Sequence, residues 1–288
     1  MIVTETIADL RRQVSEWKKE GLTVGLCPTM GYLHEGHASL MDASRASCDK
    51  TVASVFVNPI QFGPNEDLAT YPRDFEHDCK VLEAHGVDLV FHPDPSEMYA
   101  DDFCTFVDID VLSKTLCGAS RPVHFRGVCT VITKLLNTVQ PDKIFFGKKD
   151  AQQLAIIRRM VRDLNFNVEV CGCPIVREAD GLAKSSRNTY LNEKERQAAL
   201  ILSRTIRLGQ DLTEKGERNS AALLKAMREK LASEPMADVE YVEVVNGEDM
   251  QPVKTFQDGD LVAMAVRIGS TRLIDNFTVG DPAIDVPL

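Results

Sequence analysis

The sequence predicts an α/β protein in which a doubly wound parallel sheet is followed by a smaller α+β domain. Three observations carry this reading. Apolar, β-prone runs alternate with helically spaced segments through roughly the first 175 residues. After Arg177 the pattern changes to two polar amphipathic helices and then three β-rich runs separated by Gly and Pro. A chain of 288 residues, 44% hydrophobic and 26% charged, suits two globular domains better than one core. The boundary falls after Arg177, giving 1–177 and a small lid domain at 178–288.

The elements follow in order. Leu22 to Cys27 is a short buried strand that Pro28-Thr29-Met30-Gly31 breaks, and a helix starts near Gly36 and runs through Leu40 and Met41. Thr51 to Val57 is strongly β-prone and ends at Asn58-Pro59. Arg73 to His85 has helical spacing through Phe75, Val81 and Leu82, before a strand at Val87 to Phe91. Val128 to Val139 repeats apolar residues at helical spacing. Lys143 to Phe146 is a strand leading through Gly147 into a helix over Leu154 to Val161, and Phe166 to Val170 resumes strand character. Repeated strand–helix–strand units imply a Rossmann-like parallel sheet with helices on both faces. Ligands of such sheets sit outside the C-terminal strand ends, near the topological switch point. Beyond the turn at Asp180-Gly181, Glu193 to Leu231 reads as two helices. Val239 to Val245, Leu261 to Ile268 and Arg272 to Val279 read as an antiparallel sheet.

Composition narrows the function. A net charge of −10 argues against a broad nucleic-acid surface, so anions must bind where local basic residues override the overall field. The start carries Glu5, Asp9 and Arg11, unlike a signal peptide, and no apolar run approaches the ~20 residues of a membrane span. Eight scattered cysteines in a long chain read as reduced thiols of a cytoplasmic protein. Cys171-Gly172-Cys173 lacks a second pair at zinc spacing and reads as strand residues.

Five segments bear chemistry. His34-Glu35-Gly36-His37 puts two imidazoles where a strand hands over to a helix N-terminus, a place whose unpaired N–H groups and dipole favour anions; phosphate and metal both remain open there. Asn58-Pro59-Ile60-Gln61-Phe62 supplies neutral donors and acceptors at the ligand edge of the sheet, or else a turn that Asn58 caps. Arg121-Pro122-Val123-His124-Phe125-Arg126-Gly127 opens a helix with cations against the dipole, which a bound anion or a solvated basic turn would resolve. Phe145-Phe146-Gly147-Lys148-Lys149-Asp150, with Gln152-Gln153, repeats the strand-to-helix arrangement of the histidine element. Lys184-Ser185-Ser186-Arg187-Asn188, at the domain junction, resembles a phosphate clamp that closes over a ligand. No Gly-x-Gly-x-x-Gly or Walker loop occurs, so phosphate contacts must come from these pieces.

The His-x-Gly-His element with the later Lys-Ser-Ser-Arg loop resembles the nucleotidylyl-transferase superfamily. Six motifs narrow this to its pantoate–β-alanine ligase family: Pro28 to His37, Asn58 to Phe62, Tyr71-Pro72-Arg73, Arg121 to Val128, Phe146 to Gln153 and Ser185 to Asn188 all match in order. The C-terminal third is similar mainly in size and character. The resemblance implies ATP-dependent joining of pantoate and β-alanine to pantothenate, on the route to coenzyme A, through a pantoyl adenylate. It implies His34 and His37 as phosphate donors, with Lys149 and Arg187 neutralising charge and Ser185 and Ser186 adding hydroxyls. Met30, Gly36 and Gly147 would line the nucleotide slot, Asp150 would hold the ribose, and Val176 would sit near the adenine. Gln61 and Gln153 would grip pantoate, with Asn58 and Arg121 on the substrate side. Mg2+ on the phosphates, with its protein ligands unassigned, and a homodimer are further family expectations. Lys148 and Lys184 depart from many relatives and add positive charge beside the nucleotide. The rival reading is a superfamily transferase acting on a phosphorylated acceptor, which would want more basic residues and no glutamines. A nucleotide sensor could dispense with His37 or Lys149, and a tRNA synthetase fits poorly with the acidic charge.

Overall fold

The computed structural model describes residues 1–64 and 66–282. Along the chain run β1 (Ile2–Thr4), α1 (Ile7–Lys19), β2 (Val24–Thr29), α2 (Glu35–Ser47), β3 (Lys50–Val55), α3 (Phe75–Ala84) and β4 (Leu89–Phe91). Next come α4 (Pro95–Met98), α5 (Leu116–Ser120), α6 (His124–Val139), β5 (Lys143–Gly147), α7 (Ala151–Asp163) and β6 (Glu169–Cys173). The last are α8 (Glu193–Glu214), α9 (Ser220–Ala232), β7 (Ala237–Val245), β8 (Leu261–Ile268) and β9 (Thr271–Thr278). Two compact units result. One comprises Met1–Ile109, Arg121–Lys148 and Ile156–Pro174; the other comprises Asp110–Ser120, Lys149–Ala155 and the chain from Ile175 onward.

The first unit is built on a six-stranded, all-parallel sheet in the order β1-β4-β3-β2-β5-β6. Cys27, Ala53, Val55, Val90 and Phe145 pack with Leu40 and Met41 of α2 and Leu82 of α3. The residues that alternate with them, Val24, Leu26, Val52, Leu89 and Ile144, point to the other face and are equally buried, so both faces are covered. The chain moves outward from β2 through β3 to β4, then restarts on the other side of β2 at β5. The switch point therefore lies between β2 and β5.

Pro28 does not break β2, which runs on to Thr29. The Thr29 carbonyl accepts Phe56 N–H on the β3 side, so the preceding Pro28 faces β5, where pairing has already ended at Leu26. Its missing N–H therefore costs no ladder bond. β6 lies at Glu169–Cys173, three residues beyond the expected start at Phe166. Thr6 is the N-cap of α1, whose Leu10, Val14 and Trp17 form one buried face.

The second unit pairs β7, β8 and β9 antiparallel. Val242, Val244, Val262, Met264, Leu273 and Phe277 form its core with Ile201, Ile206 and Met227 from α8 and α9. Asn192 and Glu195 make a reciprocal capping box that fixes the start of α8, worth about 1 kcal/mol.

Candidate active site

The histidine element is set up by the turn before it. Gly31 has φ +85° and Tyr32 φ 52°, a left-handed pair that glycine makes accessible. Asp78 of α3, 1% exposed, accepts Tyr32 N–H at 2.9 Å and Leu33 N–H at 2.7 Å, while Thr29 Oγ1 bonds to Ser54 O at 2.7 Å. Burial pushes the Asp78 carboxyl above its ordinary range even though both amides favour the anion. His77, its neighbour on α3, reaches Leu33 O at 3.2 Å through Nε2.

His34 is the N-cap of α2. Its Nδ1 accepts Gly36 N–H at 3.1 Å, and His37 Nδ1 accepts His34 N–H at 3.3 Å, a capping box made of two imidazoles. The rings lie 4.1 Å apart, centroid to centroid. A neutral imidazole whose Nδ1 accepts must carry its proton on Nε2. The amides of Gly36, His37 and Ala38 thus serve the cap and first turn rather than an anion nest, and the Nδ1 atoms of both rings are turned to the backbone.

Asn58 ends the segment after β3, ahead of a 3-10 turn at Pro59–Gln61. It is buried, as is Gln61. Asn58 Nδ2 donates to Gln61 Oε1 at 3.0 Å and Gly127 O at 3.1 Å, its Oδ1 accepts from Tyr99 OH at 2.7 Å, and Gln61 Nε2 lies 3.0 Å from Met30 Sδ. α6 presses on this turn. A Cβ on Gly127 would fall 2.5 Å from Gln61 Cα and Ile60 O, and His124 Nδ1 bonds to Gln61 O at 3.1 Å.

The cations expected to collect an anion at the start of α6 are engaged within the unit. Arg121 Nε donates to Glu66 at 2.9 Å and a second nitrogen of the same guanidinium contacts that carboxylate. Burial opposes the charge on Glu66, but Arg121 outweighs it and holds the carboxyl below its ordinary range. Arg126 lies over the Phe106 ring at 3.9 Å. Here Glu66, rather than a bound anion, resolves the conflict of the cations with the helix dipole.

In the second unit Lys149 and Asp150 occupy a 3-10 turn at the head of α7, with Lys149 Nζ 3.8 Å from Asp150 Oδ2 and Lys149 O accepting from Asn276 Nδ2 at 2.7 Å. Gln152 is buried and donates to Leu112 O and Thr115 O, each at 2.8 Å, whereas Gln153 is half-buried. A hairpin turns at Asp180-Gly181, closed by Glu178 N–H to Leu182 O and by Lys184 N–H to Val176 O. Arg177 and the buried Asp275 fasten it to β9 with two contacts of 2.8 and 2.9 Å. Asn188 donates to Glu178 and to Ala183 O, and Ser185 Oγ accepts Arg187 N–H at 3.3 Å. Ser186 is buried; Lys184, Ser185 and Arg187 are half-buried. The hydroxyls and cations of this segment thus stand on a tied 3-10 turn. Among the described residues no three His, Cys, Asp or Glu side chains gather as a metal cage, and no helix is long and apolar enough to cross a membrane.

Asp78, Tyr99, Glu66, Asp275 and Asn276 were not singled out from sequence. Each acts on a segment at least 40 residues away, so no local spacing marks it.

Comparison with known proteins agrees across the chain. A sequence model of the family described as Pantoate-beta-alanine ligase matches residues 2–278. A pantothenate synthetase of Ruminiclostridium cellulolyticum is 57% identical over 273 residues, covering 95% of this chain and 97% of that protein. One from Clostridium acetobutylicum is 54% identical, covering 96% and 99%. Among solved structures, pantothenate synthetase of Thermus thermophilus has a TM-score of 0.92 at 44% identity, covering 97% of this chain and 99% of that one. The pantoate-beta-alanine ligase of Francisella tularensis, complexed with beta-gamma ATP and beta-alanine, has a TM-score of 0.81 at 30% identity, covering 99% and 100%. The six motifs, the parallel sheet with its separate antiparallel unit, and these matches lead to one conclusion: the chain belongs to the pantoate–β-alanine ligase family.

Proposed function

We propose that this enzyme condenses pantoate with β-alanine at the expense of ATP. A pantoate carboxylate oxygen attacks the α-phosphorus and pyrophosphate leaves. The β-alanine amine then attacks the acyl carbon of the pantoyl adenylate, the acyl–phosphate C–O bond breaks, AMP departs and the amine gives up a proton. Both steps build charge on phosphoryl oxygens, so positioned donors supply most of the catalysis.

The observation that carries this reading is the double imidazole cap. Its Nδ1 atoms are turned into the helix, so each neutral ring has an Nε2–H donor at a helix N-terminus beside the switch point. We assign His34 and His37 to the phosphates, with His37 at the α-phosphate. Met30, Gly36 and Gly147 are assigned to the nucleotide, and Gln61 to pantoate. From the second unit, Lys149 and Arg187 are assigned as phosphate-neutralising cations, with Lys184, Ser185 and Ser186 beside them. Asp150 is assigned to the ribose, Val176 to the adenine and Gln153 to pantoate. Asn58 and Arg121 serve the substrate side through the partners they hold, Gln61 and Glu66. Mg2+ would accompany the triphosphate and would neutralise phosphate charge there; its protein ligands stay unassigned. Eight free thiols support a reducing, cytoplasmic setting, and a homodimer is expected from the family.

Pyrophosphate–ATP exchange without β-alanine tests the proposal. Exchange should require pantoate. No exchange, or equal exchange without pantoate, would overturn the adenylate route.

A further inference from the structure

Every polar atom of the Asn58 side chain is used inside the first unit, and its partners fix which end of the amide is which. Gly127 O can only accept, so it demands Nδ2 at 3.1 Å. Tyr99 OH donates to Oδ1 at 2.7 Å, and burial keeps this phenol protonated by raising it well above its ordinary range. The ring of Tyr99 is itself held edge-on to Phe103 at 4.9 Å, beneath Lys134 at 5.6 Å. The second Nδ2 proton goes to Gln61 at 3.0 Å, so Gln61 must turn its oxygen towards Asn58. Its Nε2 is then directed away, where the polar contact among the described residues is a thioether sulfur, Met30 Sδ at 3.0 Å. Sulfur is a weak acceptor, so Nε2 gives up little on exchanging it for a ligand oxygen.

We propose that Tyr99 and Asn58 are positioning residues that set the polarity of Gln61, making it a donor committed to an acceptor-only group such as the pantoate carboxylate. The inference rests on the assignment of Gln61 to pantoate. Sequence alone shows two amides three residues apart and cannot show which atom of each faces outward. Neither residue is a catalytic residue: both act through Gln61.

Asn58→Asp tests this by inverting one atom. An aspartate cannot donate to Gln61 Oε1, so the glutamine amide reverses and presents oxygen to the carboxylate. The KM for pantoate should rise by roughly tenfold or more, the usual worth of a hydrogen bond to a charged group, while the KM for ATP stays within about twofold. Asn58→Leu, which leaves Gln61 free to choose its orientation, should raise the pantoate KM less than Asn58→Asp despite deleting more hydrogen bonds. Tyr99→Phe supplies the test if Asn58→Asp does not fold: the pantoate KM should rise by roughly threefold or more, again with ATP spared. A pantoate KM unchanged in the folded variants, or an ATP KM rising in parallel, would overturn the relay. Gln61→Ala separates the two claims. An unchanged pantoate KM in that variant removes the assignment of Gln61 itself, whereas a raised one beside an unresponsive Asn58→Asp removes only the relay.

Discussion

His37 Nδ1 accepts the backbone N–H of His34 at 3.3 Å, so the residue proposed to meet the α-phosphate also closes the N-terminus of the helix that carries it. His34 does the same for Gly36 at 3.1 Å. Each ring therefore has a structural nitrogen and a chemical one. The structural nitrogen selects the tautomer that makes the other a donor.

The two roles separate by substitution. Asparagine is among the best N-cap residues, and glutamate at the third helical position completes a capping box. His34→Asn and His37→Glu should keep the thermal midpoint close to that of the parent while losing the Nε2–H. Turnover should fall by roughly 10²–10³ in His37→Glu, the usual cost of one preorganised donor. His37→Ala should lose turnover similarly and in addition about 1 kcal/mol of stability. Steady-state kinetics with thermal unfolding of the three variants reads both effects, and a fully active His37→Glu would confine His37 to capping.

How much of this was legible depends on sequence distance. The His34-to-His37 cluster, the motif at Asn58 to Gln61 and the antiparallel strands of the second unit could be read because periodicity and turn chemistry are local. Local sequence leaves Arg121 as either an anion seeker or a solvated cation because its partner, Glu66, lies 55 residues away. The inward use of both Nδ1 atoms was hidden for a different reason. Histidine is an uncommon cap, so the usual preference for Ser, Thr, Asp or Asn gave no hint that the first amides would be taken. Pro28 misled because a proline within a strand is harmless only where the neighbour has stopped pairing, and register is a property of the sheet.

Gly31→Ala tests the platform beneath the cap. The new Cβ would lie 2.9 Å from Asp78 Oδ2 at φ +85°, so the cost combines a left-handed backbone with a clash against the carboxylate that orders the turn. A loss of more than about 1 kcal/mol in stability is expected. Asp78→Asn should also destabilise, because one end of an amide would point a donor at a backbone N–H, a loss of roughly 1–3 kcal/mol. Denaturant unfolding of the two variants measures this, and parent-like midpoints would refute the clamp.

Glu240 gives the second unit an acid-labile contribution. Arg272 donates to it from Nε and Nη2, both at 2.8 Å, and these bonds outweigh its partial burial and hold the carboxyl down at about 2. A lowered native pKa means that the unfolded chain binds the proton first as pH falls. The stabilisation is therefore complete above the ordinary carboxyl value of 4.5 and is lost as pH drops towards about 2. Thermal midpoints of the parent and Glu240→Gln should differ most above pH 4.5 and converge near pH 2. A gap that is constant with pH would show that Arg272 does not lower the Glu240 carboxyl in the folded protein, and would refute the acid-labile contribution.

Gly127→Ala sets helix propensity against packing. In an exposed helix this change gains about 1 kcal/mol. Here the added methyl would meet Gln61 Cα and Ile60 O at 2.5 Å, both backbone atoms that no rotamer change can move. Either α6 or the Pro59–Gln61 turn must shift, at the ~1–3 kcal/mol typical of overpacking. The thermal midpoint should fall rather than rise. Because the Gly127 carbonyl also orients Asn58, the pantoate KM should increase while the ATP KM stays near the parent value. A stabilised Gly127→Ala with unaltered pantoate kinetics would show that the close approach of α6 has no bearing on Gln61.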